Sequence, residues 1–173
     1  MDIEQAIRTR RTHKAFRPEP IDGKTLDELF ELARWAPNHH GTNPWRFRVL
    51  GPGALAHLKQ AAGREQEAKL SRAPTLIVVS AALSGDPLQD EEDLHATAIA
   101  AYIVLLVAHA RGLAGYWRTP DVLRTPEGRT PWASRTRSTC WALSTSVGHV
   151  RRAPCPSVRI QPRTSPTLID RFA

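Results

Sequence analysis

Three short stretches of this 173-residue chain gather residue types able to do chemistry. The first is "RRTHKAF", where Arg10, Arg11, Thr12 and Lys14 put three cations and a hydroxyl within five residues. Arginine forks take phosphate oxygens two at a time, and a lysine adds a point charge. Taken alone, the run reads equally as a solvated basic face. The second is "WAPNHHGTNPWRF", bracketed by Trp35 and Phe47. Its prolines, Pro37 and Pro44, keep it from being helical. Asn38, His39, His40, Thr42 and Asn43 supply donors and acceptors between aromatic walls, which suits a flat heteroaromatic ligand. Adjacent histidines in an extended loop point apart, and no third ligand stands at a metal-binding spacing, so a metal is not expected. The third is "AGYWRTP", where Arg118 and Thr119 follow the aromatic pair Tyr116 and Trp117. An arginine beside a redox ring stabilises developing negative charge.

Other chemistries leave no trace. There is no phosphate-cradling P-loop, and the glycines Gly51 and Gly53 lack the third member of a dinucleotide fingerprint. No serine nucleophile elbow is present. An enzyme built from this chain therefore takes its chemistry from a cofactor, with no side-chain catalytic residue expected.

The elements that must position these stretches follow from pattern. "DIEQAIRTR" predicts an opening helix with Ile3, Ala6 and Ile7 on one face. Thr25 and Glu28 suggest a capping box before a helix whose face holds Leu26, Leu29, Phe30 and Ala33. "WRFRVL" alternates as a half-buried strand, "PGALAHLKQAA" is helical, and "APTLIVVSAAL" is a buried strand rich in β-branched residues. The acidic "DEEDL" opens a long helix running to Ala110, stopped by Gly112, and "LAGYW" is a further strand. The longest apolar run, Ala96 to Ala110, is too short and too alanine-rich to favour a membrane span and reads as a core or interface helix. Helices and strands alternate, giving an α+β or α/β sandwich.

Composition divides the chain. Residues 1–129 hold 17 Lys+Arg against 16 Asp+Glu, whereas residues 130–173 hold 7 Arg against one Asp. The net charge of +7 thus belongs mostly to the tail, which argues against a nucleic-acid-binding body. The two cysteines, Cys140 and Cys155, make no disulfide framework. With no apolar leader in the opening residues, the expected setting is cytoplasmic.

The tail, 130–173, is dense in Ser, Thr, Arg and Pro and has no Lys or Glu. It reads as disordered, or as translated out of frame. Tryptophan has one codon, so a shifted frame must place Gly at the Trp132–Ala133 junction and Leu-Gly across Cys140, Trp141 and Ala142. Permitted codons elsewhere give "VGLPDEEHVLGLVHLGRP" from Pro131 to His149, an acidic turn and then an apolar strand.

Taken in order, the three stretches resemble the nitroreductase family of FMN-dependent oxidoreductases, in its small single-domain bacterial form. "RRTHKAF" is similar to the family's Arg-Arg-Ser-x-(Lys/Arg)-x-Phe, and "APNHHGTNPWRF" to its Ala-Pro segment ending in Pro-Trp-x-Phe. "RAPTLIVV" and "GYWRTP" resemble the strand and post-helix segment of the small members. The resemblance covers 1–129. It implies an α+β fold with a mixed sheet flanked by helices, and a homodimer with FMN sites built from both subunits. Arg10, Arg11, Thr12 and Lys14 would hold the phosphate and ribityl end. Trp35, Pro37, Asn38 and His39 would approach from the partner chain, Trp117, Arg118 and Thr119 would close the other side, and Lys69 would assist. The segment Val107, Ala108, His109, Ala110, Arg111, Gly112 would meet the nicotinamide nucleotide. NADH or NADPH would be co-substrate, a nitroaromatic or quinone the acceptor, and neither nucleic acid nor membrane a partner. An inactive flavin-binding or flavin-free remnant is the alternative. Family members continue with an apolar strand that the tail as translated does not spell, so the last strand is expected to be missing or altered.

Overall fold

The computed structural model describes residues 1–129 and, within the tail, the backbone of two short strands, Ser138–Trp141 and Gly148–His149. In chain order the elements are α1 (Ile3–Thr9), α2 (Gly23–Ala33), a 3-10 turn (His39–Gly41), β1 (Trp45–Val49) and α3 (Pro52–Leu70). Then come β2 (Ile77–Ala82), α4 (Pro87–Ala110), β3 (Leu113–Ala114), a second 3-10 turn (Asp121–Arg124) and α5 (Pro126–Arg129). The tail strands are β4 (Ser138–Trp141) and β5 (Gly148–His149).

β2 is the hinge of the architecture. It runs antiparallel to β1, with Phe47 opposite Val79. Its side chains alternate between two cores, as a strand buried on both faces requires. Val78 packs with Leu58, Leu70, Leu76 and Leu123 on the α3 side. Ile77 and Val79 pack with Leu26, Ala101 and Leu105 on the side of α2 and α4. A third cluster joins Leu29 and Ala33 of α2 to Val104 and Ala108 of α4 and to Leu113. α4 is long and apolar enough to cross a membrane by length and composition. Here one face of it is buried, with Ala100, Val104 and Ala108 fully enclosed.

Local expectations hold in type and shift at the ends. α2 is capped by Asp22, not Thr25: the Asp22 carboxylate accepts from the Thr25 amide and from its hydroxyl, both at 2.8 Å. A charged Asx acceptor outcompetes the hydroxyl and adds a favourable interaction with the helix dipole. Likewise α4 starts at Pro87, before "DEEDL", because Asp86 caps it and a proline at the first helical position needs no amide partner. On α1 only Ala6 is buried; Ile3 and Ile7 stand exposed. β3 is two residues long, and the chain beyond it is extended without a ladder except for one parallel bridge between Thr12 and Gly115.

β4 pairs antiparallel with β2, and β5 with β3, so the strands form two separate sheets, β1-β2-β4 and β3-β5. β2 would otherwise expose a bare edge, and the β4 sequence, with Thr139 and Trp141, has the β-branched and aromatic character that such an edge accepts.

Candidate functional site

The Thr12–Gly115 bridge and the hydrogen bond from the His13 amide to the Gly115 carbonyl (3.2 Å) lay "RRTHKAF" alongside "AGYWRTP". Two of the three sequence stretches thereby come side by side to line one cleft of about 360 Å³. Lys14 and Phe16 come from one stretch, and Tyr116, Arg118 and Thr119 from the other. The last turns of α3 add Gln66 and Lys69, the turn after the helix adds Arg72, and Pro120 and Asp121 complete the lining. This end of α3 is aimed by Gly63, whose φ of 74° and ψ of 165° break the helical path in a region only glycine adopts freely.

The cleft is cationic: Lys14, Lys69, Arg72 and Arg118 face it, against the carboxylate of Asp121. Arg118 is oriented by donating from Nη2 to Gln66 Oε1 at 3.2 Å. Lys69 donates to Glu65 Oε1 at 2.8 Å, and this contact holds the Glu65 carboxyl below its usual range. An ion pair this exposed contributes little and is readily exchanged for a ligand oxygen.

In the segment before Thr12, the Nε atoms of Arg10 and Arg11 are buried and have no hydrogen-bond partner among the described residues. Arg11 turns Nη1 to the Arg8 and Arg10 carbonyls, at 2.8 and 2.9 Å. Buried charged donors without acceptors are costly, and an anion here would satisfy them. His109, at the end of α4, meets the Thr9 hydroxyl through Nε2 at 2.8 Å. Burial, and then the charges of Arg10, His13 and Arg11, push its pKa down. Burial and positive neighbours both disfavour the imidazolium. The folded value lies below the unfolded one, so this residue's contribution to stability is complete above the ordinary histidine range. It is lost as pH falls through the lowered value. An anion on Arg10 and Arg11 would relieve the repulsion. We expect the His109 pKa, followed by proton–nitrogen NMR, to rise when FMN or inorganic phosphate is added; an unchanged value would separate His109 from the anion site.

The expected residues divide three ways. Lys14, Lys69, Arg118 and Thr119 line the cleft. Trp117, one residue before Arg118, faces a different, apolar cavity. The loop residues line neither cavity. Trp35 is 77% exposed, and His39 stacks on His40 and engages Glu92 through Nδ1 at 2.7 Å. Asn38 Oδ1 accepts from the Asn43 amide at 3.0 Å, and Pro37 is exposed. The loop is strained, with His40 and Asn43 both at positive φ. It is pinned to α4 by Asp93, which is 3% exposed and accepts from Thr42 Oγ1 at 2.5 Å and from Gln89 at 3.1 Å. The segment from Val107 to Gly112 also separates: Val107 and Ala108 serve the core, Arg111 pairs with Glu28 at 2.6 Å, and Gly112 ends the helix at φ 78°. His109 is the member of that segment that senses the arginine pair, through the charges of Arg10 and Arg11.

Sequence reading missed Gln66, Arg72, Tyr116 and Asp93. Gln66 had a signal: it stands three residues before Lys69, on the same side of α3. Among the described residues no group of three His, Cys, Asp or Glu side chains could hold a metal.

Residues 7–70 match the model of the Nitroreductase family. A putative NAD(P)H nitroreductase of Bacillus subtilis is 24% identical over 141 residues, 72% of this chain and 73% of that protein. Other nitroreductase-named relatives match over less than half of their own length. Among solved structures, a nitroreductase-like family protein from Bacillus cereus superposes with a TM-score of 0.77 at 24% identity, covering 93% of this chain and 92% of that one. A putative nitroreductase from Desulfovibrio desulfuricans, solved with FMN, gives 0.74 at 23% identity and 91% of each chain. The fold is nitroreductase-like, a small mixed sheet flanked by helices. Over residues 7–70 the chain is similar to the nitroreductase family, and its fold is shared with nitroreductase-like structures.

Proposed function

We propose that the chain is an FMN-dependent oxidoreductase that passes hydride from NADH or NADPH to a nitroaromatic, quinone or similar acceptor. The observation that carries this reading is the cationic cleft and, in the segment before Thr12, two buried arginine Nε atoms without an acceptor among the described residues. Arg10, Arg11, Thr12 and Lys14 would hold the phosphate and ribityl chain. Lys69, Arg118 and Thr119 would face the ring, with Gln66 fixing the direction of the Arg118 charge. The bound flavin would supply the hydride-accepting and hydride-donating centre. The protein's part is to bind, orient and place positive charge where negative charge develops. The FMN-bound Desulfovibrio structure of the same fold supports the assignment. The test is the visible spectrum of the purified protein, with the released chromophore identified. Stoichiometric FMN and NAD(P)H oxidation with a nitro acceptor are expected; failure to bind added FMN would sink the reading.

The working unit in this proposal is a homodimer in which Trp35, Pro37, Asn38 and His39 reach the partner's flavin. Their outward placement supports it, as does the apolar surface on the packed helices α1, α2 and α4, where Ile3, Ile7, Leu32, Ile99 and Tyr102 are exposed. Grouped exposed apolar side chains mark a contact surface. Ile99→Asp is expected to shift the protein from dimer to monomer in sedimentation velocity and to release flavin. A dimer of unchanged affinity would place the interface elsewhere.

A second reading, a remnant without turnover, is favoured by one observation: the strands fall into two sheets where one continuous strand would join β2 to β3. It accords with a tail, 130–173, translated out of frame. Restoring the alternative frame from codon 130 is expected to raise the melting temperature and flavin content together; no gain in either would reject it.

A further inference from the structure

None of residues 37–43 is buried, so packing does not fix the shape of this loop. Its backbone nonetheless holds costly conformations, with His40 at φ 57°, Gly41 at 63° and Asn43 at 46°. Left-handed backbone at non-glycine residues persists only where the surroundings impose it. Thr42 stands among those residues, and its hydroxyl donates to Asp93 Oδ1 at 2.5 Å. Asp93 is 3% exposed and also accepts from Gln89 Nε2 at 3.1 Å. Among the described residues no lysine, arginine or histidine pairs with it. A buried carboxylate without a countercharge is expensive, and an apolar side chain would serve the core better. The neighbouring Glu92 engages His39 Nδ1 at 2.7 Å. Two successive residues of α4 thus hold the loop at the start and just past the end of its 3-10 turn.

We propose that Asp93 is a positioning residue acting across the dimer: through Thr42 it fixes the loop that completes the partner's flavin site rather than the site of its own chain. This rests on the FMN and homodimer reading above. Within their own chain, Trp35, Pro37, Asn38 and His39 line neither the cationic cleft nor the apolar cavity beside Trp117. The rigid shape of the loop therefore serves something outside the chain. The helix that carries Asp93 also carries Ile99 and Tyr102, exposed on the surface assigned to the dimer contact. Anchor and contact surface are built on one element, which holds the loop in register with the partner.

The test is complementation in a mixed dimer. Two chains with different affinity tags are co-expressed, one carrying Asp93→Ala and the other Lys14→Ala/Lys69→Ala, and the mixed dimer is purified on both tags. Each variant alone should bind FMN at least about tenfold more weakly than wild type. The mixed dimer should bind FMN with near wild-type affinity at half the wild-type content, because the intact cleft of one chain meets the intact loop of the other. If Asp93 served its own chain, both chains would carry a defect at their own site and no tight site would remain. Thr42→Val, at an exposed position, removes the donor without unpacking α4 and should complement in the same way, which decides the matter where Asp93→Ala fails to fold. Wild-type FMN affinity in the Thr42→Val homodimer would overturn the inference. So would mixed dimers without a tight site while the wild-type dimer binds flavin. A wild-type chain that is monomeric or takes up no FMN would overturn the proposed function, and this inference with it.

Discussion

The double substitution Lys14→Ala/Lys69→Ala is expected to weaken FMN binding about 10²- to 10⁴-fold, on the basis of about 1.5–3 kcal/mol for each charge-assisted hydrogen bond lost. Both lysines line the cleft, one from the extended segment after α1 and one from the end of α3, so the pair tests whether the cleft acts as a unit. The fold should not suffer. Lys14 is exposed, and among the described residues Lys69 pairs with the exposed Glu65. Each single variant should show part of the effect. Added salt should weaken wild-type binding more than binding by the double variant, because fewer charges remain to be screened. Fluorescence titration of released flavin at two ionic strengths reads all of this. Wild-type affinity in the double variant would remove the cleft from the cofactor site and leave the arginine pair as the remaining candidate. A matching loss in Lys24→Ala, on the exposed first turn of α2, would mean that net charge rather than the cleft governs binding.

The sequence disclosed the walls of this site more readily than its geometry. "RRTHKAF" and "GYWRTP" were legible as chemistry because cations and hydroxyls crowd into few residues. Nothing in either stretch shows that they lie side by side, since a bridge between Thr12 and Gly115 spans a hundred residues of chain and depends on the packing between them. Helix and strand periodicity located β1, β2, α2, α3 and α4, because each has an apolar face that only one structure buries. Boundaries moved where a short polar signal competed: Asp22 and Asp86 capped their helices ahead of the residues that pattern alone favours. Asp93 was the hardest to foresee. An acidic residue in "DEEDL" reads as solvated helix surface, and only tertiary packing reveals that it is buried and holds Thr42 of the loop between Trp35 and Phe47. The apolar cavity beside Trp117 was likewise invisible, because a cavity is a property of what fails to meet.

Gly128→Ala should be among the most damaging single substitutions in the described chain, costing about 3 kcal/mol or more. A β-carbon built at Gly128 would stand 1.8 Å from the carbonyl oxygen of Val122 and 2.6 Å from its carbonyl carbon. Both are backbone atoms, so no rotamer change relieves the clash. Val122 and Leu123 are buried against Leu58, Leu70 and Leu76, which leaves the 3-10 turn little room to retreat. Arg129 adds a second tie, donating from Nε to the Leu123 carbonyl at 3.1 Å and from Nη2 to the Arg124 carbonyl. Forcing this turn outward would carry Pro120 and Asp121 with it, and those residues line the cationic cleft. Urea unfolding should therefore show a lower midpoint for Gly128→Ala. Flavin affinity, measured well below that midpoint, should fall as well. A neighbouring substitution, Glu127→Ala, removes an exposed side chain without adding a clash and should leave the midpoint within about 0.5 kcal/mol of wild type. If Gly128→Ala proved equally mild, the close packing of α5 on the 3-10 turn would be wrong.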